Sequence, residues 1–298
     1  MSPQAVVVLK PFFSKVGATF QLTKTLLCLP IGCAAGFGYV LHKPVLEWAL
    51  LWSCLGVFGL ACGGAAVNSL QEIETDRQYA RTCRRPLVTG TLQPWEARLL
   101  GFFCILPGIG VLWWGTGGIV PPLLGLLALG SYNLVYTPLK QRSPFALLPG
   151  AVAGALPPVI GWTAAGGSFF SLGSWLLFAL YFLWQIPHFF LIFFRHQEDY
   201  RQVGYPSLIQ HLSSEGCTRI FFVWIAALIT AVLAFIVEMP QLKFTSKIIL
   251  LGFCAGLVFL GVFAWIVRRE SGGIGRGLTV FNASFFLSIS LVMALQLY

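Results

Sequence analysis

Long apolar stretches recur along the chain, separated by short polar segments. Each stretch is about 20 residues long, which is the length a helix needs to cross a hydrocarbon core about 30 Å thick. The stretches are continuously apolar and show no alternation of polar and apolar positions, so they predict helices and not the strands of a barrel. Nine spans are predicted, at residues 25–42, 47–69, 97–114, 118–138, 145–164, 170–194, 219–238, 247–267 and 276–297. The predicted fold is an all-α, polytopic membrane bundle.

The composition agrees with a membrane protein. Of 298 residues, 57% are hydrophobic and 10% are charged, whereas soluble domains carry roughly 25% charged residues. The connections between spans are too short to hold a soluble domain, so residues 1–298 are predicted to form a single transmembrane domain. Residues 1–24 lack the short apolar run and small-residue cleavage site of a signal peptide, and we expect them to form a cytoplasmic tail.

The basic residues predict the orientation of the bundle. With the N-terminus inside, the loops after the second, fourth, sixth and eighth spans are cytoplasmic, and of the 19 lysines and arginines only Lys43, Lys243 and Lys247 lie outside. This asymmetry is what the positive-inside rule requires. We therefore expect a multi-pass protein of the cell inner membrane, with its N-terminus and its charged loops in the cytoplasm. The net charge of +9 follows from this topology, so no nucleic-acid partner is expected.

The end of the second span carries a row of oxygen-bearing side chains. Asn68, Glu72 and Asp76 are spaced i, i+4 and i+8, so they share one face if the helix continues. Neighbouring carboxylates repel one another unless a cation relieves them. Mg²⁺ takes one or two carboxylates and completes its shell with water and substrate phosphates. The row therefore predicts a magnesium site.

Four arginines follow this row, at positions 77, 81, 84 and 85. Guanidinium groups bind phosphate oxygens in a bidentate manner, so the segment from Asn68 to Gly90 indicates a Mg²⁺–diphosphate site. The alternative is a solvated loop whose charges pair across a helix end. That alternative suits Glu74, Arg77 and Arg84 better than it suits the row at Asn68.

These residues match the signatures of a known family. The chain resembles the UbiA superfamily of intramembrane prenyltransferases, and within it the protohaem IX farnesyltransferase (haem O synthase) branch. The matching segments are Asn68-xxx-Glu72-xxx-Asp76, Arg81-Thr82-xx-Arg85-Pro86-Leu87, Tyr136–Arg142, Gly154–Trp162, Trp184–Phe189, Glu198–Tyr200 and Gly204–Pro206. The resemblance implies a UbiA-type bundle of about nine helices.

Two positions depart from the pattern of the family. Glu72 stands where the family usually has aspartate, which keeps the charge and adds a methylene. The second Asp-xxx-Asp motif of many members is replaced by Arg195–Tyr200. A second metal site would therefore depend on Glu198 and Asp199.

The resemblance implies transfer of a farnesyl group from farnesyl diphosphate to a vinyl group of haem b, with Mg²⁺ as the cofactor, in contact with the lipid bilayer. It also implies handover of the product to a haem A synthase. Asn68, Glu72 and Asp76 are expected to hold the metal. The residues expected at the diphosphate are Lys24, Arg81, Arg85, Lys140 and Arg142. The residues expected to face the allylic cation or the haem are Tyr132, Tyr136, Trp184, Gln185 and His188.

Other functions remain open from the sequence. A UbiA-type enzyme could use another acceptor, such as an aromatic acid. A transporter is expected to place ionisable residues near the bilayer midplane, whereas here they crowd one rim. A haem-carrying membrane subunit is expected to offer paired histidines, and His188 is the clear intramembrane candidate. For His188 itself, the alternative to a haem contact is a hydrogen bond to a neighbouring helix.

Overall fold

The computed structural model describes residues 15–79, 81–195, 214–266 and 273–298. Within these ranges the chain is helical and no strand is found. A helix at residues 15–22 precedes the bundle. The helices that follow are α1 (Thr25–His42), α2 (Trp48–Gln71), α3 (Pro94–Thr116), α4 (Val120–Gly130), α5 (Leu147–Ala164), α6 (Leu172–Arg195), α7 (Ser214–Glu238), α8 (Phe244–Ile266) and α9 (Gly273–Leu297).

Seven helices in the described ranges are long and apolar enough to cross a membrane, which confirms a multi-pass helical protein. The predicted count of nine stays a prediction, because two predicted spans are not among the seven. α4 gives way to a π-helical turn at Ser131–Tyr136, and α8 contributes only the shorter apolar stretch Phe244–Phe259. The predicted bounds of α1 are those of the structure.

Helices α1 and α5 cross with their backbones in contact. A Cβ atom at Gly38 would overlap the Pro158 carbonyl, and a Cβ atom at Gly161 would overlap the Ala35 carbonyl. Only glycine permits two helices to approach this closely. The crossing holds α1, whose first turn follows Lys24, against the middle of the bundle. A larger apolar core then joins α1 to α6, α7, α8 and α9 through buried residues such as Phe37, Leu177, Phe235 and Phe285.

Replacing Gly161 with alanine is expected to destabilise the protein by about 3 kcal/mol, the upper end of the usual cost of overpacking. The added methyl group meets rigid backbone, the Ala35 carbonyl and the Tyr39 nitrogen, so neither neighbour can move aside. The midpoint of thermal unfolding in detergent measures the loss. Gly252→Ala is the matched control, since a Cβ atom there meets nothing within 4 Å. Equal midpoints for the two variants would contradict the close crossing.

Candidate active site

The oxygen-bearing side chains at the end of α2 stay on one face, although the regular helix ends at Gln71. Glu72 leaves helical geometry, with φ −106° and ψ 6°. The backbone hydrogen bonds nevertheless continue, from the Glu72 amide to the Asn68 carbonyl at 3.1 Å and from the Asp76 amide to the Glu72 carbonyl at 2.7 Å. Asn68, Glu72 and Asp76 are all buried, at 1%, 6% and 5% exposure. A buried row of this kind is not a solvated loop.

Three cationic side chains meet this row from other parts of the chain. Lys140, which follows α4, forms an ion pair with Glu72. Arg85 Nη1 lies 2.6 Å from Asp76 Oδ2 and 3.6 Å from Glu72 Oε2. Lys24 Nζ donates to Asn68 Oδ1 at 3.0 Å. The site is therefore a buried cluster of mixed charge, and we call these six residues the charged cluster.

Lys24 is held in this cluster by an unusual backbone conformation. It is the one non-glycine residue in the described ranges with a positive φ, 49°, and it immediately precedes α1. A left-handed residue at this point costs conformational energy, which suggests that the position is set by function. Burial and the neighbouring Arg85 guanidinium lower the pKa of Lys24 from 10.5 to about 8.

The loop after Asp76 folds back so that Arg85 reaches the row. Thr82 Oγ1 donates to the Asp76 carbonyl at 3.0 Å, and the Arg85 amide donates to the Thr82 carbonyl at 2.9 Å. Leu87 and Leu92 anchor the end of the loop in a small apolar cluster beside the helix at residues 15–22. The motif Arg-Thr-xx-Arg-Pro-Leu thus supplies a turn and an anchor as well as charge.

A network of amide and hydroxyl groups fastens the π-helical turn of α4 to α2. Asn133 Nδ2 donates to the Gly64 carbonyl at 3.0 Å, and Gln71 Nε2 donates to the Asn133 carbonyl at 2.9 Å. Asn68 Nδ2 donates to Thr137 Oγ1 at 3.1 Å, and that hydroxyl donates to the Tyr132 carbonyl at 2.9 Å. Gln71, Asn133 and Thr137 were not among the site residues predicted from the sequence. The available signal was polar side chains within or next to apolar spans.

The π-helical turn presents two stacked tyrosines beside the charged cluster. The rings of Tyr132 and Tyr136 lie 5.6 Å apart at an interplanar angle of 19°. Lys140 Nζ lies 5.2 Å from the centroid of the Tyr136 ring. The face of an aromatic ring attracts a cation, so the same ring face can stabilise a positive charge that develops on a substrate.

A cavity of about 660 Å³ opens next to the charged cluster. Its polar lining includes Lys24, Asp76, Arg81 and Arg85. Arg81, which is exposed, therefore reaches the site through this cavity. The apolar lining comes from Phe20, Leu22, Leu26, Leu27, Pro86 and Leu87. Such a cavity suits an amphiphile with an anionic head and an apolar tail.

Several predicted site residues are not brought into the charged cluster. Arg142 is exposed, and no ion pair joins it to an acidic residue of the described ranges. Glu198 and Asp199 lie outside the described residues, so the second acidic site stays a prediction. Glu74 and Arg77 form an exposed ion pair at 3.0 Å, as expected for a solvated helix end.

The donor set at the row fits magnesium. Across the residues that the structure describes, no group of three or more His, Cys, Asp or Glu side chains could hold a metal on its own. Asn68, Glu72 and Asp76 offer two carboxylates and one amide oxygen, all buried on one face. Mg²⁺ uses one or two carboxylates and takes its remaining ligands from water and phosphate, so a larger protein cluster is not required.

His188 and its neighbours lie on α6, and aromatic ring contacts lead from them to Tyr136 beside the charged cluster. The Tyr136 and Phe189 centroids are 6.2 Å apart, and those of Phe189 and His188 are 5.9 Å apart. His188 Nδ1 lies 2.9 Å from Asn282 Oδ1 on α9, so the hydrogen bond to a neighbouring helix is present and uses one ring nitrogen. Trp184 stacks on the His188 ring at 5.0 Å.

Gln185 faces a different helix. Its Nε2 donates to the Ala151 carbonyl at 3.2 Å, and its amide group packs against Gly154 of α5. The structure therefore places Gln185 in the interface between α5 and α6, one residue away from the Trp184 ring that contacts His188.

The chain is similar to membrane prenyltransferases in sequence and in fold. The sequence model of the UbiA prenyltransferase family matches residues 29–290. The protohaem IX farnesyltransferase of Geobacter sulfurreducens is 47% identical over 208 residues, which cover 70% of this chain and 76% of that protein. The protohaem IX farnesyltransferase of Nitratidesulfovibrio vulgaris is 36% identical over 250 residues, 84% of this chain and 86% of that protein.

A solved structure shares the fold. A UbiA homologue from Archaeoglobus fulgidus, bound to GPP and Mg²⁺, matches with a TM-score of 0.69 at 16% identity, over 92% of this chain and 99% of that chain.

Proposed function

The chain belongs to the UbiA prenyltransferase family, and from this premise we propose that it farnesylates haem b at the charged cluster. It is a multi-pass membrane prenyltransferase. It transfers the farnesyl group of farnesyl diphosphate to a vinyl group of haem b, protohaem IX, and gives haem O. The two bacterial relatives carry this activity in their names, and each is matched over more than two thirds of its length.

One observation supports this site above the others. The buried row at Asn68 is met by lysine and arginine side chains and lies beside a stacked pair of tyrosines. A prenyl diphosphate offers an anionic head for the cations and an allylic carbon for the tyrosines. The cavity beside this cluster, which Lys24, Asp76 and Arg85 help to line, suits the anionic head of that substrate.

The roles we propose follow the chemistry of each side chain. Asn68, Glu72 and Asp76 hold Mg²⁺, and Mg²⁺ when bound neutralises charge on the leaving diphosphate. The side chains proposed to bind diphosphate oxygens are Lys24, Arg81, Arg85, Lys140 and Arg142. Tyr132 and Tyr136 stabilise the allylic cation through their ring faces. The homologue structure with bound GPP and Mg²⁺ supports use of a divalent metal.

The acceptor step needs no strong base to begin. The vinyl carbon forms a bond to C1 of the farnesyl group as the bond from C1 to the diphosphate oxygen breaks. Water then adds to the neighbouring vinyl carbon and loses a proton, which leaves a hydroxyethylfarnesyl group. We propose that His188 and Trp184 contact the haem, since they lie beyond Tyr136 and Phe189 from the diphosphate side.

The setting of the enzyme is also part of the proposal. We place it in the cell inner membrane, with residues 1–24 and the active-site loops in the cytoplasm, because the basic residues collect on that side. We propose that residues 1–298 act as one transmembrane domain. Glu198 and Asp199 are proposed as a second metal site, and a haem A synthase as the recipient of the product.

Purified enzyme with farnesyl diphosphate, Mg²⁺ and haem b is expected to produce a haem whose mass increases by one farnesyl group and one hydroxyl group. The same enzyme with 4-hydroxybenzoate is expected to give no prenylated product. Mass spectrometry of the extracted products measures both. Prenylation of 4-hydroxybenzoate without modification of haem b would contradict the proposed acceptor and would favour an aromatic prenyltransferase of the same family.

A further inference from the structure

His188 is joined to α9 by a polar contact inside the bundle. Its Nδ1 atom lies 2.9 Å from Oδ1 of Asn282, 94 positions further along the chain. Both residues are half-buried and lie within apolar helices that span the membrane. A polar side chain at such a position costs free energy, and it generally has a functional role. Asn282 was not among the site residues predicted from the sequence.

Aromatic rings fix the plane of the His188 imidazole. Trp184 stacks on it at 5.0 Å with an interplanar angle of 17°. Trp184 is itself stacked on Phe285 of α9, with centroids 4.5 Å apart and an angle of 12°. α9 therefore contacts the histidine directly through the amide of Asn282, and it supports the Trp184 ring that stacks on the histidine through Phe285.

With Oδ1 of Asn282 facing the ring, the contact matches one of the two neutral tautomers of His188. Oδ1 is an acceptor only, so the hydrogen bond requires a proton on Nδ1 of His188. The second nitrogen, Nε2, then carries a lone pair. In the part of the chain that the structure describes, no hydrogen-bond partner contacts Nε2.

We propose that Asn282 is a positioning residue that holds His188 in the Nδ1–H tautomer, so that Nε2 ligates the iron of the haem substrate. This proposal rests on the proposed function, since it takes haem as the acceptor. Histidines that bind metals commonly donate their other N–H group to an oxygen acceptor, which fixes the tautomer and the ring orientation. Asn282 supplies that acceptor here.

The ring contacts between His188 and Tyr136, which lies beside the charged cluster, agree with ligation at the iron. A residue bound to the centre of a porphyrin must stand back from the vinyl groups at its rim. Tyr136 and Phe189 separate His188 from Lys140 in this way, through ring contacts of 6.2 Å and 5.9 Å.

Variants of Asn282 test the proposal in the full-length enzyme. Asn282→Leu keeps the approximate size and removes the acceptor, and Asn282→Asp keeps an acceptor and adds charge. Gln296→Leu is the matched control, because Gln296 is a buried amide on the same helix that bonds Lys243 and Gln241 and not His188. The probes are titration of haem b by its Soret band, the Fe–His stretching frequency of the ferrous complex, and KM and kcat for haem b.

Asn282→Leu is expected to weaken haem binding and raise KM for haem b by about 10- to 100-fold, the usual effect of losing such a partner. Asn282→Asp is expected to retain binding and raise the Fe–His frequency, because a carboxylate draws more strongly on the N–H group. Gln296→Leu should leave haem binding, KM for haem b and the Fe–His frequency unchanged. The rescue by aspartate separates positioning from a general loss of packing.

The proposal is overturned if Asn282→Leu shows the Soret band, Fe–His frequency and KM of the wild type. It is also overturned if His188→Ala retains the Fe–His frequency, since another residue would then ligate the iron. If the wild-type enzyme ligates haem through His188 but transfers no farnesyl group, the proposed function is wrong. The proposed role of Asn282 is then unaffected.

Discussion

Asp76→Asn is expected to reduce the rate of farnesyl transfer roughly 10²- to 10³-fold, the usual cost of removing one preorganised charge from a transition-state site. The Asp76 carboxylate is buried and lies 2.6 Å from Arg85 Nη1. Asparagine preserves the shape of the side chain, so the decrease in rate reflects the removal of the negative charge. Because Asp76 is proposed to bind Mg²⁺, the residual activity should require more Mg²⁺ for half-saturation. Steady-state rates of haem O formation across a Mg²⁺ titration measure both effects.

Glu74→Gln provides the matched control for Asp76. Glu74 lies two residues earlier and also loses a carboxylate, but it is exposed and pairs only with Arg77 at 3.0 Å among the described residues. Its substitution should leave the rate and the Mg²⁺ dependence unchanged. If Asp76→Asn behaved like Glu74→Gln, Asp76 would have no part in the metal site.

The sequence was sufficient to predict the row at Asn68, because helical spacing is a local property. Residues at i, i+4 and i+8 share a face wherever the backbone stays close to helical. The break at Glu72 does not spoil that prediction, since the hydrogen bonds from Glu72 to Asn68 and from Asp76 to Glu72 persist. The bounds of α1 were predictable for a similar reason, as its apolar run ends abruptly at His42 and Lys43.

Contacts between distant segments were not predictable in the same way. The ion pair between Lys140 and Glu72 depends on how α4 is set against α2. The position of α4 against α2 depends on the π-helical turn at Ser131–Tyr136. This turn changes the direction in which the side chains after it point, compared with a regular α-helix. Periodicity calculated for a regular α-helix cannot place residues beyond such a turn. The contact of Asn282 with His188 could not be predicted for a simpler reason, since the two residues lie 94 positions apart in the sequence.

The separation of Lys140 from Arg142 follows from local geometry. The family motif contains both cations, and the resemblance alone gives them equal roles. Lys140 follows the short helix Thr137–Leu139, and residues 140–142 form a turn that carries Arg142 away from the direction of Lys140. Lys140 faces Glu72 and Tyr136, whereas Arg142 is exposed. The two cations are thus unequal in this structure, and Lys140 is the better candidate for direct contact with the diphosphate.

Lys140→Met is expected to lower kcat/KM for farnesyl diphosphate about 100-fold. Methionine keeps the length of the side chain and removes the ammonium, which pairs with Glu72 and lies over the Tyr136 ring. Lys140→Arg should recover part of the loss, since it restores charge with a different shape. Lys15→Met is the control, because Lys15 pairs with Glu96 in an exposed contact. Steady-state kinetics at saturating haem b measure kcat/KM for farnesyl diphosphate. A wild-type value for Lys140→Met would show that Lys140 does not bind the diphosphate.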